Sequence, residues 1–154
     1  MEVICSNSKI TIRLLERNNK DIECLYNWLN NKDVYEFYGD SNEKSFKFVK
    51  QKYENKIEDN TTYPCITQCN KNNIGYVQFY SINNKNYELT EEQFANITNK
   101  SDKIFAIDIF IAELGYRNKG LGTEIIKLLN ETLFEKYNAN VIVTDPKVNN
   151  SRAI

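Results

Sequence analysis

One short segment combines the residue types that bind anions. Arg117-Asn118-Lys119-Gly120-Leu121-Gly122-Thr123 lies between an apolar run and a stretch with helical periodicity. At such a strand-to-helix turn, free backbone N–H groups and the positive end of the helix dipole attract negative charge. Gly120 and Gly122 bring no Cβ into the path of a ligand, and Arg117 and Lys119 add positive charge. The segment therefore predicts a pyrophosphate site.

The spacing within this turn disfavours the common nucleotide motifs. A Walker loop ends in Gly-Lys-Ser/Thr, whereas Gly122 is followed by Thr123 and Glu124. A dinucleotide fingerprint requires a third glycine where this chain has Ile125, and no early βαβ unit precedes the turn. ATP, GTP, NAD and FAD are therefore poor candidates.

A second chemical feature is a carboxylate inside the most apolar run of the chain. Asp108 lies in the middle of residues 104–111, where the other side chains are apolar. An unpaired carboxylate would be costly there or would take up a proton, so something must compensate it. Asp108 is either a structural residue held by hydrogen bonds or a group that faces a cleft. In the second case it would receive a substrate ammonium and accept its proton directly or through water.

Composition restricts the chemistry further. The 154 residues, 41% hydrophobic and 27% charged, are typical of one soluble globular domain. The chain has no histidine, which excludes Ser-His-Asp and Cys-His catalysis, and its four scattered cysteines predict reduced thiols and no metal site. The net charge of −1 argues against nucleic-acid binding and is easier to reconcile with a cationic partner.

The N-terminal residues contain no basic region followed by an apolar run. No stretch of the chain approaches the length of apolar sequence that a membrane helix requires. We therefore expect a cytoplasmic protein that has no membrane partner.

Hydrophobic periodicity predicts the elements that position these residues. Alternation predicts a half-buried strand over residues 8–15, and apolar residues at three- and four-residue steps predict helices over 20–31 and 46–57. After the glycine turn, the same spacing predicts a helix over 121–133.

Further strands complete the prediction. A β-hairpin is predicted over residues 63–80 with its turn at 70–73, and buried strands over 104–111 and 141–143. Residues 149–154 resemble the start of a helix. The order β-α-α-β-β-β-α-β predicts an α/β (α+β) fold, a mixed central sheet flanked by helices, in a single domain.

The turn and its position resemble the coenzyme A-binding motif of the GNAT acetyltransferases, Arg/Gln-x-x-Gly-x-Gly/Ala. Asp108 lies nine residues before Arg117, where the aminoglycoside 6'-N-acetyltransferases have their catalytic aspartate. Further matches to that narrower family span nearly the whole chain: Trp28-Leu29, Val34-x-Glu36-Phe37-Tyr38-Gly39, Ile74-Gly75-Tyr76-x-Gln78, Thr144-Asp145-Pro146 and Asn149-Asn150-x-Arg152-Ala153-Ile154.

On the donor side, the resemblance implies acetyl-CoA as co-substrate, bound by the turn and in the opening between strands 104–111 and 141–143. Backbone N–H groups near Phe110 and Ile111 would hold the thioester oxygen, and Asn150 would touch the pantetheine arm. Asp108 would be the catalytic residue that takes the amine proton, with no covalent acetyl-enzyme.

On the acceptor side, the resemblance implies a small polycationic amine, bound by Asp145 and lined by Trp28, Glu36 and Tyr38. Simpler interpretations stay open, since Trp28 lies on a helical apolar stripe and Asp145 could cap a helix. The long polar stretch 81–102 is a candidate functional loop. Its acidic residues, Glu88, Glu91, Glu92 and Asp102, are either a solvated face or a wall that attracts cations.

The resemblance also implies parts that residues 1–154 do not contain. In the family, a tyrosine a few residues beyond Asn-x-Arg-Ala-Ile commonly protonates the leaving thiolate, and two further strands close the sheet. We therefore expect one GNAT domain truncated at its C-terminus. The leading hypothesis is an aminoglycoside 6'-N-acetyltransferase. The alternatives are a GNAT enzyme for another amine, such as a lysine-derived or siderophore intermediate, and an inactive coenzyme A-binding fragment.

Overall fold

One mixed sheet organises the part of the chain that the computed structural model describes, which comprises residues 1–39, 42–83, 90–97, 99, 102–151 and 153. Its strands are β1 (Val3–Ser6), β2 (Ile10–Leu14), β3 (Thr62–Cys69), β4 (Asn72–Ile82), β5 (Ile104–Ile111) and β6 (Val141–Val143). The helices are α1 (Asn19–Leu29), α2 (Lys32–Tyr35), α3 (Phe46–Glu58), α4 (Glu91–Ile97) and α5 (Leu121–Lys136), with a 3-10 turn at Leu114–Tyr116.

Every strand of this sheet lies beside the next one along the chain, in the order β1 to β6. The pairs are antiparallel from β1 to β5, whereas β5 and β6 are parallel and are connected through α5. A parallel pair requires such a crossover, because the chain must return to the same end of the sheet. The predicted mixed sheet is therefore confirmed.

Helices cover both faces of the sheet. The buried stripe of α5, which includes Leu121, Ile125 and Leu129, packs on the face that carries Phe79 and Ile107. Helices α1, α2 and α3 pack on the opposite face, where Tyr76 and Phe110 lie. Because successive residues of a strand point to opposite faces, Asp108 is on the same face as Phe110.

Local chemistry explains where several elements begin and turn. The side chain of Asn18 accepts a hydrogen bond from the Asp21 N–H at the start of α1, and Ser45 caps α3 through the Phe48 N–H in the same way. Between β3 and β4, Asn70 and Lys71 have φ values of 48° and 69°. Positive φ at both central residues is what the type I′ turn of a two-residue hairpin requires.

A buried ion pair connects β2 to α1. Arg13 donates to both carboxylate oxygens of Asp21, over 2.7 and 2.8 Å, and the two side chains are 6% and 2% exposed. The Asp21 carboxylate also accepts the Glu16 N–H at 3.0 Å. The hydrogen bonds from Arg13 to Asp21 raise the pKa of Arg13, although its burial opposes them.

The structure adds elements that periodicity does not reveal. Strand β1 and helix α2 are each only four residues long, too short to show a period. Helix α4 lies within the predicted polar loop, and its Phe94 packs against Ile82 and Ala106. At the other end, the described part of residues 149–154 forms turns and not the expected helix. No helix in the described ranges has the length and apolar character needed to cross a membrane.

Candidate active site

The last two strands of the sheet diverge in the middle of β5. Ile104, Phe105 and Ala106 are paired with β6, whereas residues 107–111 have a strand partner only on the β4 side within the described chain. The outer edge of this half of β5 is therefore open. This open edge runs from Asp108 towards the predicted anion-binding turn.

The open edge offers backbone donors. Ala112 N–H donates to Ile74 O at 2.9 Å, so residues an even number of steps before it direct their N–H groups towards β4. In an antiparallel pair the intervening residues point the other way. The N–H groups of Ile109 and Ile111, on either side of Phe110, are therefore directed to the open edge.

Asp108 is held by a neighbour on β4. It lies opposite Gln78 in the register, and Gln78 Nε2 donates to Asp108 Oδ2 at 2.6 Å. The carboxylate is half-buried, and Gln78 is 7% exposed. Among the described hydrogen bonds, Asp108 Oδ2 accepts this one, and none reaches Asp108 Oδ1.

Tyrosines surround this carboxylate on the α3 face. Burial raises the pKa of Tyr38 and Tyr76 well above the ordinary value, and it also raises the pKa of Tyr53. The negative charge of Asp108 contributes to each of these shifts in the same direction. The three hydroxyls therefore stay protonated at neutral pH and can donate hydrogen bonds, as that of Tyr76 does to Gln78.

A lysine completes the same network. Lys56 Nζ donates to Gln78 Oε1, as does the Tyr76 hydroxyl at 2.8 Å. The pKa of Lys56 is lowered from 10.5 to about 8; burial is the largest cause, the like charge of Lys52 acts in the same direction, and the Asp108 carboxylate opposes both. The charge of Lys56 thus changes near physiological pH.

The predicted anion-binding turn has the geometry of a helix N-terminus without a side-chain cap. Helix α5 begins after Gly120, and its first backbone hydrogen bond runs from Glu124 N–H to Gly120 O. Helix geometry therefore leaves the N–H groups of Leu121, Gly122 and Thr123 without partners inside the helix.

Different structural features explain why glycine occupies each of two positions in this turn. Gly120 has φ of 76°, in the left-handed region that favours glycine, and Asn118 is also left-handed at 57°. A Cβ on Gly122 would lie 3.8 Å from Ile111 Cδ1, an ordinary contact. The protein itself therefore leaves room for a side chain at position 122, which is the fit expected where a ligand approaches the backbone.

Arg117 connects this turn to the end of β5. Its Nε donates to Ile111 O at 2.7 Å and its Nη2 to Ala112 O at 3.1 Å. The guanidinium therefore positions the turn beside the open edge, and its Nη1 lies 3.8 Å from Asp33 Oδ2. Lys119 is exposed and has no such anchor among the described contacts.

The residues predicted to line the acceptor side are placed differently from one another. Trp28 is 6% exposed within the α1 core, and its Nε1 donates to Glu113 Oε1 at 2.9 Å. Tyr38 packs edge-on against Phe110 with ring centroids 4.6 Å apart, so it reaches the face of the sheet that carries Asp108. Glu36 is exposed, and its backbone carbonyl accepts from Lys147 Nζ at 3.2 Å.

Asp145 follows the end of β6. The last parallel pair is Ala106 with Val143, and Asp108 and Asp145 each come two residues after their member of that pair in the sequence. Asp145 is exposed beyond the end of β6, and Asn150 is half-buried further along. The two carboxylates thus lie on either side of the divergence between the strands.

The acidic stretch is described only in part. Glu91 and Glu92 are exposed in the first turn of α4, and Asp102 accepts the Asn99 N–H at 2.7 Å. Glu88 lies outside the described residues. Within the described ranges, no group of three or more His, Cys, Asp and Glu residues could hold a metal ion.

Two residues of the network were not singled out as site residues from the sequence. Gln78 is a polar residue inside an otherwise apolar strand, which is the same signal that identifies Asp108. Lys56 lies three residues after Tyr53 and seven after Val49, so it occupies a position on the buried stripe of α3. In the sequence, Lys56 could therefore be identified as a lysine on the apolar stripe of a predicted helix.

Comparisons with known proteins agree with this geometry. The family model described as an acetyltransferase (GNAT) domain matches residues 17–154. The aminoglycoside N(6')-acetyltransferase type 1 of Klebsiella pneumoniae is 30% identical over 151 residues, which cover 97% of this chain and 71% of that protein.

Solved structures give the same result. A structure of AAC(6')-Ib with acetyl-CoA bound has a TM-score of 0.76 and 27% identity, over 95% of this chain and 78% of that one. A structure of AAC(6')-Ib with coenzyme A and kanamycin has a TM-score of 0.74 and 27% identity, over 94% and 78%. These similarities confirm the fold that the sequence predicted.

Proposed function

Because the chain belongs to the GNAT acetyltransferase family and is therefore an acetyl-CoA-dependent N-acetyltransferase, we propose that it acetylates an amino group of aminoglycosides, at the 6' position. The relatives at 27–30% identity that are named for this activity support the choice of acceptor. In a cell, the reaction would confer resistance to these antibiotics.

One observation carries the proposal. Asp108 has a half-buried carboxylate on the part of β5 whose outer edge is open, and Asp145 is exposed two residues after the end of β6, the neighbouring strand. Two carboxylates carried by neighbouring strands where these separate favour an acceptor with more than one ammonium group. Aminoglycosides are small molecules of this kind.

The donor half of the site consists mainly of backbone N–H groups. The free N–H groups at the start of α5 and the charge of Arg117 and Lys119 would hold the pyrophosphate of acetyl-CoA, which supplies the acetyl thioester. The N–H groups of Ile109 and Ile111 are directed to the edge where the thioester oxygen would develop negative charge, so they would stabilise it. Asn150 would contact the pantetheine arm.

The acceptor half lies on the α3 face. Asp108 Oδ1 would receive the ammonium group of the acceptor, and the carboxylate would accept its proton as the amine attacks. Gln78 holds the other oxygen, which keeps the carboxylate in one orientation. Tyr38, Glu36 and Asp145 would contact the remainder of the acceptor, and Trp28 would support Phe110 from the core.

The test is an acceptor panel with the 154-residue chain, in an assay that follows release of the coenzyme A thiol. Kanamycin is expected to release thiol in a saturable way, and mass spectrometry should locate the acetyl group at the 6'-amine. Turnover of lysine derivatives without turnover of kanamycin would refute the proposed acceptor.

Calorimetry separates an enzyme from a binding module. Saturable binding of acetyl-CoA and kanamycin with no thiol released over long incubation would indicate a chain that binds both ligands without catalysis. Failure of a folded sample to bind acetyl-CoA would contradict the assignment of the turn at residues 117–123.

A further inference from the structure

Three side chains form a continuous hydrogen-bonded chain that ends on the proposed base. Lys56 donates to the amide oxygen of Gln78, and the amide nitrogen of Gln78 donates to Asp108 Oδ2 over 2.6 Å. Lys56 belongs to α3, Gln78 to β4 and Asp108 to β5. The network therefore connects a helix to the open edge of the sheet.

The orientation of the Gln78 amide decides what Asp108 receives. A glutamine amide can be reversed by rotating its end by half a turn, which exchanges its acceptor oxygen with its donor nitrogen. In the reversed state the amide oxygen would face the carboxylate oxygen of Asp108, and two acceptors would repel each other. The native orientation instead gives Asp108 a donor.

Lys56 can fix that orientation because an ammonium group only donates hydrogen bonds. Tyr76 also donates to Gln78 Oε1, but its hydroxyl can accept as well, so it tolerates either orientation of the amide. Of the two partners of Oε1, only Lys56 excludes the reversed state.

We propose that Lys56 is a positioning residue, which acts through Gln78 to hold Asp108 Oδ2 and leave Oδ1 for the acceptor ammonium. This inference rests on the proposed function in that Asp108 is taken as the base. It applies to any acceptor amine that reaches this carboxylate.

The surroundings of Lys56 are consistent with a fixed position. Its Nζ lies 5.5 Å from the centroid of the Tyr53 ring, to which it is attracted as a cation. Lys52 is the like charge on its own helix, and Asp108 is the opposite charge across the sheet face. Burial keeps its pKa near 8, so at pH 7 most molecules retain the ammonium form.

The primary experiment is a double-mutant cycle of Lys56→Met and Gln78→Met, with kcat measured at pH 7. Each single change should lower kcat about 10-fold or more, because a misplaced base loses its alignment with the amine. Affinity for coenzyme A should stay within about 2-fold, since the turn at residues 117–123 is untouched.

The double variant tests whether Lys56 acts through Gln78. If it does, adding Lys56→Met to Gln78→Met causes no further loss, whereas independent effects would multiply. Multiplied losses, or a Lys56→Met enzyme within about 2-fold of the parent, would overturn the proposal.

Two matched variants separate positioning from structure. Lys56→Arg keeps a charged donor and is expected to restore kcat to within about 3-fold of the parent. Lys52→Met removes the neighbouring lysine of the same helix and should leave kcat within about 2-fold. Lys56→Leu repeats the removal if the methionine variant is poorly folded.

A second measurement requires no turnover. In a nitrogen–proton correlation spectrum, the Gln78 side-chain amide, assigned by its loss in Gln78→Met, should give a pair of proton signals shifted from those of a solvent-exposed glutamine, because its Nε2 donates to the Asp108 carboxylate. Lys56→Met should move this pair towards the solvent-exposed position or broaden it as the amide samples both orientations, and an unchanged amide spectrum would refute the positioning role.

This measurement also distinguishes the two hypotheses. Failure to acetylate kanamycin would refute the proposed acceptor alone, because the amide spectrum still reports on Lys56. If another amine proves to be the acceptor, the same kinetic cycle applies with that amine.

Discussion

At the scale of single residues, the site depends on how a carboxylate within an apolar strand finds a hydrogen-bond partner. A buried polar group is costly unless a hydrogen bond compensates it. Gln78 supplies this bond to Asp108, and Lys56 supplies a positive charge one residue further away. Burial lowers the pKa of Lys56, and the negative charge of Asp108 opposes that shift.

Asp108→Asn tests the proposed base. The amide has the shape of the carboxylate, and its oxygen can still accept from Gln78, so the fold should be retained. We expect kcat to fall by about 10²- to 10⁴-fold, because a general base is lost. Titration calorimetry should find coenzyme A affinity within about 2-fold of the parent.

A matched control for this substitution is Glu135→Gln on the exposed side of α5, which should leave both quantities unchanged. Equal losses of kcat and of coenzyme A affinity in Asp108→Asn would instead indicate a structural role for Asp108.

Lys56→Met should change the pH dependence of stability. The pKa of Lys56 is about 8 in the folded chain and 10.5 as the ordinary value, so the folded state binds the proton less tightly than the unfolded state. Below pH 8 both states are protonated and the full cost of the buried charge is present. Between pH 8 and 10.5 the folded state loses its proton first, and stability rises with pH.

We therefore expect Lys56→Met to raise the free energy of unfolding at pH 7 by about 1–3 kcal/mol and to remove this rise. Urea unfolding between pH 7 and pH 10 measures it, with the exposed Lys47→Met as control. Parallel curves for the parent and Lys56→Met would show that Lys56 is not the group that titrates. If the Lys56→Met enzyme is more stable but slower than the parent, Lys56 contributes to the activity of the site and not to the stability of the fold.

At the scale of elements, the turn before α5 shows how backbone geometry can serve a ligand. Arg117 fastens the turn to β5 through two carbonyl groups, so the helix begins beside the open edge of the sheet. The helix N-terminus therefore presents its free N–H groups where the strands diverge.

Gly122→Ala should separate stability from ligand binding. A Cβ there meets only Ile111 Cδ1 at an ordinary 3.8 Å, and alanine has the higher helix propensity. The free energy of unfolding should be unchanged or rise by about 0.5–1 kcal/mol, while acetyl-CoA affinity should fall about 10-fold or more. Calorimetry and urea unfolding on one preparation measure both, and unchanged affinity would contradict the pyrophosphate site.

Gly75→Ala provides the contrasting case. Its Cβ would lie 2.2 Å from the carbonyl oxygen of Phe110, a backbone atom of β5 that cannot move aside. The β4–β5 pairing should therefore be disturbed, and the free energy of unfolding should fall by about 1–3 kcal/mol. Thermal or urea unfolding measures this, and an undisturbed protein would show that β5 can shift at little cost.

At the scale of the whole molecule, two cores lie on opposite faces of one sheet, beside the proposed donor and acceptor halves of the site. The α5 core positions the turn, and the core under α1, α2 and α3 positions Tyr38, Tyr76 and Phe110. The halves meet where β5 and β6 diverge. The buried Arg13–Asp21 pair fixes α1 to β2 and so supports the acceptor half.

Asp21→Asn should destabilise the entire fold. It leaves Arg13 buried with its charge uncompensated, which typically costs about 3–5 kcal/mol. Urea unfolding at pH 7 measures the loss. The control is Glu58→Gln, which removes the partner of Arg17 in an exposed pair and should change stability by less than about 1 kcal/mol. Similar effects of the two substitutions would mean that burial does not decide the strength of these pairs.

The sequence alone determined the features that depend on local chemistry. The spacing of glycines and basic residues predicted the turn, and the period of apolar residues predicted β2, α1, α3, the hairpin and α5, because period and turn chemistry are properties of neighbouring residues. The position of Asp108 in an apolar run identified it as a residue that needs a partner.

Only the tertiary structure decided what the partners are. Gln78 and Asp108 are 30 residues apart in the chain, and Lys56 is 22 residues from Gln78, so their meeting depends on strand register and on how α3 packs. The same is true of Trp28 and Glu113, and of the parallel pairing that brings β6 beside β5. Short elements such as β1 and α2 also became visible only in the fold, because four residues are too few to show a period and are held by the sheet and helices around them.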